Sequence, residues 1–430
     1  MLQRLDLRGS EGDLRSQLPR PDAGAAAPVE TVRTILAEVR KRGDDALREY
    51  TARFDGVTVD DLRVPQAEME AALAVVPPLL REALESARAS ITAFHREQVR
   101  VDGRHEREGI VVRELRRPVD RAGLYVPGGR ARYPSTVLMT AVPARVAGVG
   151  ELVLCVPPGA DGAVDPTVLA AAALAGVDEV YRVGGAQAIA AMAYGTETIA
   201  SVDVIVGPGN VYVATAKREV AGEGVVGVPS AFTGPSEVVV VADEVTPVDY
   251  AAIDLVVQAE HGPDGLAWLI TWSEDAADAI TAAVERIVAA SPRRSDITAT
   301  LADGGYAVVV DGPEQAVAVA NAIAPEHLEL MNADPESLLP LVRHAGAVFC
   351  GAYAPASVGD YLAGPSHVLP TFGSARFSSA LRVDDFVKTM HAVTLDEAAL
   401  ARVAPHVVAL AEAEGLDAHA DSVRVRMTGR

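Results

Sequence analysis

From residue 151 the chain alternates short β-branched runs with Ala-rich stretches: "ELVLCVP" then "PTVLAAAALAGV", "EVYRVGG" then "AQAIAAMAYG", "VDVIVGPGN" then "VYVATAKREVAG". No other feature constrains the fold as much. Runs of strand length between Ala-rich helical stretches call for a parallel sheet with crossover helices. A second set follows, with "EVVVVADEV", helix "VDYAAIDLVVQAEHG", strand "LAWLITW", helix "AADAITAAVERIVAAS", strand "YAVVVDG" and helix "PEQAVAVANAI". The expected fold class is therefore α/β, with two Rossmann-like domains and small N- and C-terminal helical extensions.

Outside these sets the first 24 residues are polar and read as an arm, followed by "PVETVRTILAEVRKRGDDALREYTARF", a long amphipathic helix or helix pair. The segment from about 381 includes "LDEAALARVAPHVVALAEAEG", helical with its own apolar stripe. Some fifty residues cannot easily make an independent core, so this tail must dock on something else.

At 430 residues the chain exceeds one ordinary core, and its formal net charge of −21 repels nucleic acid and anionic lipid. The expectation is a cytoplasmic protein with no nucleic-acid and no membrane partner, since the N-terminal stretch is charged and no run of eighteen apolar residues occurs. Cys155 and Cys350 both sit in apolar strand-like runs with no Cys-x-x-Cys spacing, so buried, inert thiols are expected.

Three glycine turns mark possible phosphate or nucleotide contacts. "GPGNVYVATAKR" follows a strand and opens a helix, which would let the backbone approach a phosphate, although the third glycine of the dinucleotide fingerprint is missing. "YRVGGAQAIAAM" repeats the arrangement one unit earlier, and "GLYVPGGRARYPSTVLM" offers a third turn with Tyr125 at its edge. Metal-capable residues include Gln258 and His261, three apart on one helix face, then Asp360 and His419. Together they would form a nitrogen and oxygen site for zinc or a harder divalent ion, but spacing alone does not select them. In "NAIAPEHLEL", Glu326 and His327 follow a proline, as at a helix start.

The ordered motifs "GLYVPGG", "VGGAQAIAA", "VDVIVGPGN", "GPSEV", "QAEHGPDG", "APEHLEL", "GDYLAGPSHVLPT" and "AEGLDAH" resemble the histidinol dehydrogenase family along nearly the whole chain. The resemblance implies oxidation of L-histidinol through L-histidinaldehyde to L-histidine, with NAD and one zinc ion per subunit. It implies a homodimer whose active site is shared between subunits. Gln258, His261, Asp360 and His419 fall at the metal positions, and Tyr125, Gln187 and Asn210 at the NAD positions. Glu326 and His327 fall at the proton-transfer pair. Ser236, His367 and Glu414 fall at substrate-binding or supporting positions; the metal ligands and His327 would also touch substrate. It further implies that 25–124 and 237–380 form one domain, 125–236 the second, and that 381–430 docks on the partner subunit, with 1–24 as an arm.

Physically, removing a hydroxyl proton as hydride leaves suits a neutral imidazole, which a helix N-terminus at His327 would favour, while Glu326 could activate the water of the second oxidation. Two other enzyme classes compete: a thiol-dependent aldehyde dehydrogenase, which would need Cys155 or Cys350, and a metal-dependent hydrolase without NAD.

Overall fold

The computed structural model describes residues 1–10, 12–19, 28–128, 132–229, 236–260 and 265–428. In chain order its strands are β1 (Gln3–Asp6), β2 (Arg63–Val64), β3 (Gly103–Arg107), β4 (Ile110–Pro118), β5 (Arg121–Tyr125), β6 (Glu151–Val156), β7 (Glu179–Arg182), β8 (Val204–Val206), β9 (Glu237–Ala242), β10 (Leu266–Thr271), β11 (Gly305–Val309), β12 (His327–Leu330), β13 (Ala347–Cys350) and β14 (Val387–Thr394). They form a six-stranded sheet ordered β1-β11-β10-β9-β12-β13, a five-stranded sheet β2-β7-β6-β5-β8 and a three-stranded sheet β14-β4-β3. The α/β class expected from the alternating runs is observed. The six-stranded sheet is parallel throughout, and the five-stranded one is parallel apart from the short edge strand β2.

Strands buried on both faces explain the continuous apolar runs. In β9, Val239 and Val241 enter one core while Val238, Val240 and Ala242 enter the core on the other face. In β6, Leu152, Leu154 and Val156 face one core, and Val153 and Cys155 the other. The crossover helices start and stop where local chemistry dictates. Asp165 caps the helix Pro166–Ala175 by accepting from the Thr167 amide at 2.8 Å, proline occupies its first turn, and left-handed Gly176 ends it.

The chain divides into one unit of residues 1–98 and 119–386, holding both parallel sheets, and a second of 99–118 and 387–430. Three expectations change. The N-terminal arm supplies a strand, because Gln3–Asp6 pairs in parallel with Tyr306–Val309 some three hundred residues away. The helices Val29–Arg42, Asp44–Phe54, Gln66–Val75 and Pro78–Arg96 pack in the cores of the five-stranded sheet, whereas the resemblance assigned 25–124 with 237–380. Their apolar stripes specify that a face is buried, but not which sheet covers it. The C-terminal segment is also not wholly helical: β14 pairs antiparallel with β4 before the helices Glu397–Ala413 and Asp417–Thr428. Within the second unit, β14 of this segment lies beside β4 of the β3–β4 hairpin.

Candidate active site

Two groups of side chains stand out in the first unit. One lines a cavity of about 1000 Å³ at the carboxyl ends of β5, β6, β7 and β8. With strand order β7-β6-β5-β8, the order of strand addition reverses beside β5, the switch point where doubly wound sheets bind ligands. Tyr125, Gln187 and Asn210 all line this cavity.

Each is positioned by a local rule. Asn210 caps the helix Val211–Gly222: its side-chain oxygen accepts from the Tyr212 and Val213 amides, both at 3.1 Å, leaving its NH2 group uncommitted by that cap. Gln187 sits in the first turn of the helix Gly185–Tyr194, 1% exposed, with its side-chain oxygen buried and unpartnered. Tyr125 ends β5; its hydroxyl accepts from the Gly185 amide at 3.0 Å, and burial pushes its pKa upward. Gly207 has φ +110°, and a side chain there would collide with the Tyr125 carbonyl oxygen, so this turn requires glycine.

Behind the turn lies a residue that sequence reasoning missed. Lys217 is fully buried and donates to the Gly207 carbonyl, and no carboxylate pairs with it among the described residues. Desolvation lowers its pKa from 10.5 to about 7. Between these values the unfolded chain binds more protons than the folded one, so this group makes stability rise with pH across that window. Lys217→Met should abolish the effect. Melting curves from about pH 7 to about pH 10 should shift steadily in favour of the natural protein over the variant; a pH-independent difference would mean that Lys217 is not desolvated.

The second group is a polar cluster at the amino ends of β9 and β12. Ser236 directly precedes β9, and Glu326 directly precedes β12, whose first residue is His327. The Ser236 hydroxyl donates to Glu326 Oε2 and lies 3.4 Å from Gln258 Oε1, the Glu237 amide donates to the same carboxylate at 3.3 Å, and His327 Nδ1 lies 3.8 Å from it. His327 Nε2 is 3.5 Å from Asp360 Oδ1, close enough for electrostatic attraction but without hydrogen-bond geometry. Gln258 reaches the cluster from the last turn of the helix Val248–Glu260, with Nε2 buried and unpartnered.

The helix start expected at Glu326 is not formed. Ala324 ends the preceding helix in the left-handed region, and His327–Leu330 is a strand between β9 and β13. Its period of two sends Leu328 and Leu330 into the core and turns His327 and Glu329 to the other face. Without a helix N-terminus to keep the imidazole neutral, its neighbours decide. Burial lowers the His327 pKa, but the charges of Glu326, Asp360 and Glu329 outweigh it and raise the value to about 9. Burial raises the Glu326 pKa despite its favourable contacts with His327 and Ser236.

Glu329 was also missed. Its Oε1 accepts from the Ala356 amide at 2.9 Å, anchoring the short helix Ala356–Tyr361 that carries Asp360. Burial, with Asp254 nearby, raises its pKa to about 8. The alternation in "HLEL" marks Glu329 as lying on His327's face, but not what it caps. His367 joins the two groups. Its Nδ1 lies 3.0 Å from the Asp360 carbonyl, which can only accept, so in a neutral ring Nδ1 donates there and Nε2 accepts a hydrogen bond from the Thr136 hydroxyl at 3.0 Å. Thr136 lies in the first turns of the helix Pro134–Ala147, which follows β5 of the cavity sheet.

For a metal, Gln258 and Asp360 offer oxygen donors in one carboxylate-rich pocket, a donor chemistry that fits a divalent cation. Among the described residues, no three His, Cys, Asp or Glu side chains meet as a complete metal cage. His261 lies outside the described residues. Glu414 and His419 belong to the second unit, where both are exposed. Cys155 is buried and its thiol is pushed up to about 12, and burial also raises Cys350, so neither suits a nucleophile. No described helix is long and apolar enough to cross a membrane.

The histidinol dehydrogenase family matches residues 18–427 of the chain. The chain is 48% identical over 428 residues to the histidinol dehydrogenase of Parasynechococcus marenigrum, covering 98% of this chain and 97% of that protein. It is also 48% identical over 431 residues to that of Gluconobacter oxydans, covering 99% of each. The crystal structure of histidinol dehydrogenase from Elizabethkingia anophelis matches with a TM-score of 0.94 at 35% identity, over 100% of this chain and 98% of that one. In sequence and in fold, the chain belongs to the histidinol dehydrogenase family.

Proposed function

We propose that the protein is an NAD-linked, zinc-requiring histidinol dehydrogenase, oxidising L-histidinol to L-histidine through L-histidinaldehyde. The observation that carries this reading is the continuous set Gln258, Ser236, Glu326, His327 and Asp360, joined through His367 to the helix that follows β5 beside the cavity. The cavity has the volume and the unpartnered amide oxygen of Gln187 to receive a dinucleotide, the hydride acceptor. Zinc, when bound to Gln258, His261, Asp360 and His419, would supply positive charge that holds the substrate's amine and imidazole and offsets the Asp360 charge acting on His327.

The chain's own residues then divide the proton work. His327, relieved of part of the surrounding negative charge, takes the hydroxyl proton in each oxidation. Glu326, whose pKa burial raises toward the working pH, takes a proton from the water that hydrates the aldehyde, with Ser236 and the Glu237 amide fixing its orientation. His367 holds the Asp360 backbone, and Ser236 and Glu414 complete the substrate contacts. The test is to supply purified protein with NAD and either histidinol or histidinaldehyde. Both should generate NADH; a hydrolase would give none with either.

The same reading makes the active site a shared one in a homodimer, with Glu414 and His419 serving the partner subunit. Val407, Leu410, Leu416 and Val425 are exposed on or beside the two C-terminal helices, as a docking surface requires. A His327→Asn chain and a His419→Asn chain, each inactive alone, should complement when refolded together. Random pairing gives about half heterodimers with one intact site of two, hence roughly a quarter of the natural activity. Absence of recovery in heterodimers confirmed by mass would assign the tail to its own chain.

A further inference from the structure

Dinucleotide sites on doubly wound sheets commonly hold the adenosine ribose through a carboxylate at the end of the second strand, where it accepts hydrogen bonds from the hydroxyls. In this sheet that place follows β6 and reads Pro157, Pro158, Gly159, with no acid. Pro157 packs so tightly against Gly128 and Gly184 that a Cβ on either glycine would press into its ring. The usual ribose contact has no side chain to make it there.

Among the described residues lining the cavity, the only carboxylate is Asp55. It comes from a different element, as the C-cap of the helix Asp44–Phe54, which packs in the core on one face of the same sheet. Its Oδ2 is buried with no hydrogen-bond partner. Arg53, a basic residue of the same wall, lies over the Phe54 ring at 5.3 Å and makes no ion pair with Asp55 among the described residues. Burial raises the Asp55 pKa to about 6. A desolvated, unpaired carboxylate facing a ligand cavity is costly to the fold unless the ligand brings donors.

We infer that Asp55 is the ribose-binding carboxylate of this cavity and selects NAD over NADP, accepting hydrogen bonds from the ribose hydroxyls and repelling a 2′-phosphate. The inference rests on the NAD reading given above. It also accounts for the missing third glycine: the cofactor is held by the helix Asp44–Phe54 as well as by the turns after β5, β7 and β8, so the single-loop fingerprint is not required.

The test compares NAD, 2′-deoxy-NAD and NADP on the natural protein, Asp55→Asn and Asp55→Ser, with histidinol saturating. Dinucleotide binding is followed separately by NADH fluorescence. With the natural protein, 2′-deoxy-NAD should bind on the order of tenfold more weakly than NAD, as expected for a lost hydrogen bond to a charged group. In both variants the KM for NAD should rise by on the order of tenfold or more, with the KM for histidinol unchanged. The variants should no longer distinguish NAD from its 2′-deoxy analogue, and their kcat/KM ratio of NADP to NAD should increase. A merely structural residue would weaken all three dinucleotides alike and leave the natural discrimination against the deoxy form intact, which would overturn the inference, as would unchanged KM values. Asp55→Asn keeps the shape, so a folding defect confined to Asp55→Ser does not obscure the result. Should the natural protein fail to reduce NAD or bind NADH at all, the NAD reading itself would fail, an outcome separate from any behaviour of the variants.

Discussion

His327→Asn should slow oxidation of both the alcohol and the aldehyde by on the order of a hundredfold or more, whereas Glu326→Gln should spare alcohol oxidation and impair mainly the aldehyde step. The asymmetry follows from the cluster. His327 lies between Glu326 and Asp360, with Nε2 buried and free of a hydrogen-bond partner, a placement suited to receiving a substrate proton in each half-reaction. Glu326 is held by the Ser236 hydroxyl and the Glu237 amide, and in the proposed reading it acts on water alone. Steady-state rates starting from histidinol and from histidinaldehyde separate the two roles. Equal loss at both steps in Glu326→Gln would show that Glu326 also acts on the alcohol, either directly or by tuning His327.

Removing the metal should have an effect at least as large: dialysis against a chelator should abolish turnover, and zinc should restore it. The first unit brings three buried or half-buried carboxyl groups, Glu326, Glu329 and Asp360, around one imidazole. A bound cation would offset that negative charge. Gln258 is a neutral, weak donor, so the ion should be removed readily. Asp360→Asn should lower both metal content after dialysis and activity. His261→Asn should do the same; unchanged zinc with lost activity would move His261 from ligand to proton transfer. Full activity in a chelated, demonstrably zinc-free protein would contradict the metal assignment altogether.

How much of this was legible in the sequence depended on the range of the interaction involved. The strands β6 to β11 could be read because a fully buried parallel strand leaves a local signature, an apolar run bounded by turns. The glycine turns were legible for the same reason, since turns are decided within a few residues, whereas Asn210 was singled out only by the family resemblance and its capping role appears in the structure. β1 was not, because "QRLD" carries no such run and gains its place from a strand far along the chain. β12 was misread because Pro325 and an acid imitate a helix start, and four residues are too few for a period of two to outweigh that signal. The helices before residue 99 showed their buried stripes but not the sheet they cover. Lys217, Glu329 and Asp55 escaped notice because their meaning lies in burial and in partners from other elements, which a one-dimensional pattern does not contain.

The central claim is that one active site carries out both oxidations, with His327 serving each and Glu326 hydrating the intermediate between them. The most direct measurement is to incubate the zinc-loaded protein with histidinol and excess NAD and to count NADH formed against histidine formed. Two NADH should form for every histidine, with histidine appearing from the first turnovers. One NADH per histidinol consumed, with aldehyde accumulating and no histidine, would contradict it.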